Sequence, residues 1–371
     1  MSATVSGRIA PGSAPQQVGT SPRGVGEVAA LDGPDPAGIR YLSPLRYPGA
    51  KSGLSAAIGE LVASASRTLG RPSLFVEPFA GGASTSLKLV SAGLVERVLL
   101  ADADPLVARF WQVAAAHTEW LIDRMLDEPV TLERWDYWRS WRPRSGDDRD
   151  VAVKCLFLNR TTFSGILHGR AGPLGGRKQE SAYGIGCRFN KEALAERLRV
   201  IGRLYASNRI VDVWCKDWRA TLDDVTEWYP QLLPDRVISY LDPPYMDKSP
   251  KLYGRSFDPG GGYAPRPGSW QDGLAHHRLA EYLRRQAQHR WILSYDNHPE
   301  LTTDPALYAA RRMTPAGEML GIRAWRISRR LVDLHYSVSS NVRDRRRELL
   351  LTTLPPSRVP ANDRFIPLDG S

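Results

Sequence analysis

The chain has 371 residues, 42% of them hydrophobic, enough for one large core or a core with a smaller lobe. Its 50 Lys and Arg outnumber 40 Asp and Glu for a net charge of +10, which fits an anionic partner or an arginine-rich proteome equally well. Cys155, Cys187 and Cys215 stand far apart, which excludes a CxxC zinc site or a disulfide framework; no apolar run reaches the roughly 20 residues of a membrane span. No basic-then-apolar leader opens the chain, and a cytoplasmic protein is expected.

In chain order, residues 1–38 are rich in Gly, Pro, Ala and Ser and predict a flexible tail. The run Gly24-Val25-Gly26-Glu27-Val28-Ala29 has dinucleotide-loop spacing, but it lacks the preceding strand and following helix that would give it that use. From Ser73 short apolar runs alternate with helical segments, the pattern of parallel strands joined by crossover helices. Leu74 to Val76 predicts a buried strand, Ser84 to Ala92 a helix, and Arg97 to Ala101 a second strand. Pro105 belongs in the first turn of the next helix. Ile210 to Trp214, Val237 to Leu241 and Trp291 to Ser294 predict further strands, and Val332 to Val338 with Glu348 to Thr352 an antiparallel closing pair. The expected fold is α/β, a doubly wound, Rossmann-like sheet of seven strands with a helical insertion. The catalytic domain is placed at 39–110 and 209–355, the insertion at 111–208, and a C-terminal tail at 356–371. Trp111, Trp120, Trp135, Trp138 and Trp141 fall at helical spacing in or near the insertion and read as core. A Gly-rich basic stretch follows, Gly165 to Arg188.

Leu241-Asp242-Pro243-Pro244-Tyr245 ends a predicted strand, where open α/β sheets bind ligands. Asp-Pro-Pro is also simply a good strand terminator. The chemistry favours more. An aromatic exocyclic amine is a weak nucleophile because its lone pair is delocalised, and acceptors on its two hydrogens localise that pair. Asp242 offers a carboxylate and Pro243 a carbonyl without an N–H, while Pro244 stiffens both and Tyr245 can stack on an extruded base. Upstream, Glu77-Pro78-Phe79-Ala80-Gly81-Gly82 leads from a strand into a helix. An acid in that turn suits a cationic ligand such as S-adenosylmethionine, although a structural glycine turn explains the segment as well. Asp102, after the second strand, suits ribose hydroxyls, Asp104 a helix cap, and Asp217 the adenine ring of the cofactor.

Together these segments resemble the D12 class of N6-adenine DNA methyltransferases, the Dam-like family, from about Leu45 to Leu354. The resemblance begins at Leu45-Arg46-Tyr47-Pro48-Gly49-Ala50-Lys51 and implies that Tyr47 contacts the cofactor. Lys51 would reach the methionine carboxylate or the DNA-proximal site. It places Glu77, Pro78, Phe79 and Gly81 in the family's glycine motif and Asp102 and Asp242 on its ribose-binding and catalytic acids. Leu158-Asn159-Arg160-Thr161-Thr162-Phe163-Ser164-Gly165 resembles the family's NRxxFxG segment, and Ile292 to Asn297 a late strand beside the target pocket. Where many members carry FNxPxG, this chain has Tyr183-Gly184-Ile185-Gly186-Cys187-Arg188-Phe189-Asn190, so no target sequence is carried over. Asn159, Arg160, Lys178 and Arg188 are the implied DNA contacts; Arg160, Arg170, Arg177, Lys178 and Arg188 serve equally well as a solvated basic loop. The expected activity is site-specific methylation of adenine N6 in double-stranded DNA by base flipping and direct transfer, by a monomer without metal. A cognate restriction endonuclease is left open. RNA adenine, cytosine N4 or glutamine substrates, an inactive DNA-binding module and a metal-dependent nuclease are the rivals.

Overall fold

The computed structural model describes residues 42–46, 52–169, 171–244, 270–297, 325–335 and 345–368. The apolar runs become strands β1 (Leu74–Glu77), β2 (Val98–Ala101), β3 (Ile210–Trp214), β4 (Val237–Leu241) and β5 (Arg290–Asp296). Every residue of β1, β2 and β4 is buried, which explains why these strands read as continuous apolar runs and not as an alternation. Three more strands follow, β6 (Ser328–His335), β7 (Arg345–Thr352) and β8 (Phe365–Pro367).

The sheet order is β3-β2-β1-β4-β5-β7-β6-β8. The first five strands are parallel, and β7 lies antiparallel to both β5 and β6. The chain fills one wing in the order β1, β2, β3 and then the other from β4, so the direction of winding reverses between β1 and β4. That reversal opens the crevice at which doubly wound sheets bind ligands.

Two details differ from expectation. Among the described residues the sheet has eight strands, not seven, because β8 arises in the stretch read as a tail, where Phe365 pairs with Val332 and is fully buried. Strand β6 starts at Ser328, four residues before the expected Val332, because Arg329 and Arg330 are buried there and disguise it. Arg330 manages its burial by donating to the carbonyls of Pro360 and Arg329.

Helices cover both faces. On one face α1 (Ser52–Leu69), α2 (Ser84–Ser91) and α3 (Pro105–Ala116) pack over Phe75, Ile238, Tyr240 and Ile292. This core continues into α4 (Thr118–Asp127), α5 (Leu132–Ser140), α6 (Asp148–Thr161) and α7 (Lys191–Ala206). On the other face α8 (Trp218–Trp228) and α9 (Trp270–Arg285) cover Leu241, Trp291, Leu293 and Tyr295. Side chains at Thr131, Asn190 and Asp104 accept amide hydrogen bonds at the starts of α5, α7 and α3, each worth about 1 kcal/mol.

The boundary expected at residue 111 cuts through α3, which packs on the sheet and also on α6 and α7. Catalytic domain and insertion therefore share a helix. Trp111, Trp135 and Trp138 are buried, with Trp120 and Trp141 half-buried against the same core. No helix among the described residues is long and apolar enough to cross a membrane.

Candidate active site

The sheet register brings three carboxylates together. Residues paired across parallel strands share a face, and along a strand the face repeats every second residue. Phe75 pairs with Ile238, and Glu77 with Leu100. Glu77, Asp102 and Asp242 consequently project from one face at the carboxyl ends of β1, β2 and β4, and Glu77 feels the charge of both other acids.

Glu77 is 4% exposed and lies against the first turn of α2, where its Oε2 accepts from the Ser86 amide at 3.2 Å and the Ser86 hydroxyl at 2.5 Å. Two donors favour the ionised form, but burial outweighs them and the charges of Asp242 and Asp102 add to it. The carboxyl is pushed up to about 8, so it keeps its proton at neutral pH when no cation is near.

The turn between β1 and α2 is held from several sides. Gly81 adopts φ 45° and Ala83 φ 46°, left-handed values that let the chain reverse tightly into α2. Asp102 accepts the Gly81 amide on Oδ2 at 2.9 Å and the Asp104 amide on Oδ1 at 2.8 Å, so it spans the ends of β1 and β2. The Trp111 indole donates to the Gly81 carbonyl at 2.9 Å. Pro78 is buried, and Phe79 is half-buried against the opposite core. Asp104 caps α3 through Leu106 and also bonds His168, which ties the basic stretch after Gly165 to the carboxyl end of the sheet.

Asp217 stands after β3 at the sheet edge and uses Oδ1 to cap α8 through Arg219 and Ala220. Asp242 is half-buried, Pro243 buried and Pro244 half-buried. The Ser294 hydroxyl, on neighbouring β5, donates to Asp242 Oδ1 at 2.8 Å. Tyr47, Lys51, Tyr245 and Arg170 lie outside the described residues.

The implied DNA contacts separate by burial. Asn159 is a correction: it is 1% exposed, its Oδ1 accepts the Arg46 amide at 2.6 Å, and its Nδ2 donates to the carbonyls of Arg46 and Gly165. An amide so enclosed clamps the Arg46 backbone onto the insertion and has no face for DNA. Arg160 is buried as well, at 7% exposure. Burial, together with Arg197, Arg46 and Arg188, draws its pKa down to about 9. It is therefore not part of a solvated loop. Lys178 is exposed and Arg188 half-buried. Arg177 pairs with Asp136 and lies over the Trp135 ring.

Phe163, one position before the left-handed Ser164, is 63% exposed, and Tyr183 in the basic stretch is 71% exposed. Large rings displayed this way on a basic surface suit stacking on bases. Phe163 lies within the NRxxFxG segment, and the sequence alone does not set it apart, because an apolar residue beside a buried helix ordinarily faces inward. Ser294 carried a fainter sign, a hydroxyl inside an otherwise apolar strand on the face of the acids.

A parallel sheet closed by an antiparallel β7, with an acidic glycine turn after β1 and acids after β2 and β4, defines a Rossmann-like methyltransferase. Its inserted helical lobe carries exposed aromatics and basic groups, and His168 of that lobe reaches the carboxyl end of the sheet at Asp104. The chain belongs to the D12 class N6 adenine-specific DNA methyltransferase family, whose pattern matches residues 47–258. It methylates adenine N6 in DNA, and the methyl donor of the family is S-adenosylmethionine. No curated protein matches the chain.

Proposed function

We propose that this enzyme is a site-specific methyltransferase acting on an adenine flipped out of double-stranded DNA. In this reading Asp242 and the Pro243 carbonyl are the acceptors for the N6 amine, Tyr245 stacks on the base, and Pro244 stiffens the turn. The observation that carries it is the convergence of Glu77, Asp102 and Asp242 on one sheet face at the winding reversal.

The donor set fits S-adenosylmethionine. Three carboxylates, one of them buried and protonated when unpaired, call for a cation, and this cofactor carries a sulfonium and an ammonium. Glu77 would hold the cationic end and Asp102 the ribose hydroxyls, with Pro78, Phe79 and Gly81 shaping the turn, while Asp217, Tyr47 and Lys51 complete the proposed site. When bound, the cofactor supplies an electrophilic methyl group. Asp242 and the Pro243 carbonyl would accept the amine's two hydrogens and so localise its lone pair toward that methyl. As the N–C bond forms the S–C bond would break to leave a neutral thioether, and the surplus amine proton would pass to Asp242 and on to water.

Lys178 and Arg188 are the proposed charged contacts to DNA, with Phe163 and Tyr183 as stacking surfaces in or beside the opened duplex. Asp242→Ala tests the reading through methyl transfer from labelled S-adenosylmethionine to unmethylated genomic DNA. The variant should lose transfer by at least about 1000-fold yet stay folded and retain cofactor binding. Wild-type turnover in the variant would refute the catalytic assignment.

A further inference from the structure

We propose that Tyr240 and Ser294 form a hydroxyl relay that fixes the orientation of the Asp242 carboxylate and so sets the rate of methyl transfer; this rests on the reading of Asp242 as the amine's acceptor. Pairing between β4 and β5 runs Tyr240 to Ile292 and Leu241 to Leu293, so Asp242 and Ser294 follow side by side, one step beyond the last pair of the ladder. Ser294 Oγ donates to Asp242 Oδ1 at 2.8 Å, and the Tyr240 hydroxyl lies 3.0 Å from the same Oγ.

The direction of the relay follows from proton counting. An ionised carboxylate only accepts, and a serine hydroxyl has one proton to give. Once Ser294 gives that proton to Asp242, the Tyr240 hydroxyl must be the donor to Ser294. The chain therefore runs Tyr240 to Ser294 to Asp242.

Both donors are fixed. Ser294 is 0% and Tyr240 2% exposed, and the Tyr240 ring stacks on Phe75 of β1 with centroids 6.3 Å apart. A carboxylate left to itself turns broadly about its last torsion. One oxygen held from within the sheet gives the group a single orientation at the crevice, and a preorganised acceptor need not reorganise as the amine's charge develops. Ser294 and Tyr240 are thus positioning residues that act through Asp242 without touching the base.

Single-turnover methylation of unmethylated genomic DNA at saturating S-adenosylmethionine tests this, with S-adenosylhomocysteine affinity and thermal unfolding measured on each variant. Ser294→Ala should slow transfer about 10- to 100-fold, the loss of one hydrogen bond to a charged acceptor, with affinity unchanged. Tyr240→Phe should slow it about 3- to 10-fold by freeing the serine hydroxyl. The double variant should match Ser294→Ala alone, because in the relay the tyrosine acts on Asp242 through the serine. Ser294→Thr, which restores a hydroxyl on the same carbon, should recover most of the rate.

A normal rate in Ser294→Ala beside an inactive Asp242→Ala overturns the relay while leaving Asp242 in place. Additive effects of the two variants, or losses that follow unfolding and spare the rate of the folded fraction, also overturn it. If Ser294→Ala does not fold, Tyr240→Phe decides: a normal rate rejects the relay, and a slowed rate at unchanged affinity supports it. An active Asp242→Ala would instead remove the reading beneath the proposal.

Discussion

Replacing Glu77 with Gln isolates the cost of keeping a carboxyl inside this fold. The native group holds its proton up to about pH 8, against 4.5 for the unperturbed side chain. Between those values the native state binds more protons than the unfolded one, so the contribution to stability is full below pH 4.5 and is lost as pH rises through 8. The whole span corresponds to about 5 kcal/mol, of which about 2 kcal/mol falls between pH 6 and pH 8. Glutamine keeps a carbonyl for the two Ser86 donors and cannot ionise, so Glu77→Gln should abolish this slope. Denaturant unfolding of the cofactor-free protein at pH 6, 7 and 8 gives the measurement. Stability of the variant relative to wild type should rise by about 2 kcal/mol across that interval. The same substitution should weaken S-adenosylmethionine binding at least about tenfold, since a neutral amide cannot balance a cation. Parallel stability curves from pH 6 to 8 would show that Glu77 is not protonated in the folded protein and would refute the reasoning.

Gly165→Ala should destabilise the fold by about 3 kcal/mol or more in denaturant titrations, because the residue sits at φ 75° and a Cβ would lie 2.3 Å from the Arg46 carbonyl. A neutral result there would mean that the Arg46 segment does not rest on the insertion. Phe163→Ala should leave thermal stability within about 0.5 kcal/mol, given the exposure of the ring, while weakening DNA binding by about 1–3 kcal/mol. Unchanged DNA affinity would remove Phe163 from the interface. Binding to duplex DNA should also weaken steeply with salt, and Lys178→Ala should reduce the logarithmic slope by about one if it meets a phosphate. A slope identical to wild type would place Lys178 in solvent.

What the sequence determined by itself was local in origin. Leu74 to Val76, Ile210 to Trp214 and Val237 to Leu241 were legible as strands because buried parallel strands are short, mostly apolar and bounded by turns. Asp104 before Pro105 was legible as a cap for the same reason, since a cap and its helix are neighbours in sequence. Tertiary structure decided the rest, wherever the outcome depended on which distant residues meet. Asn159 turned inward because residues 113 positions away supply its partners in Arg46. Glu77 retains its proton because desolvation outweighs two hydrogen bonds, a balance that no stretch of sequence records. β8 formed because Phe365 found an unpaired edge on β6, and Ser294 met Asp242 because β4 and β5 are neighbours in register. Propensity and pattern are properties of a segment; burial, charge and partnership belong to the assembled sheet.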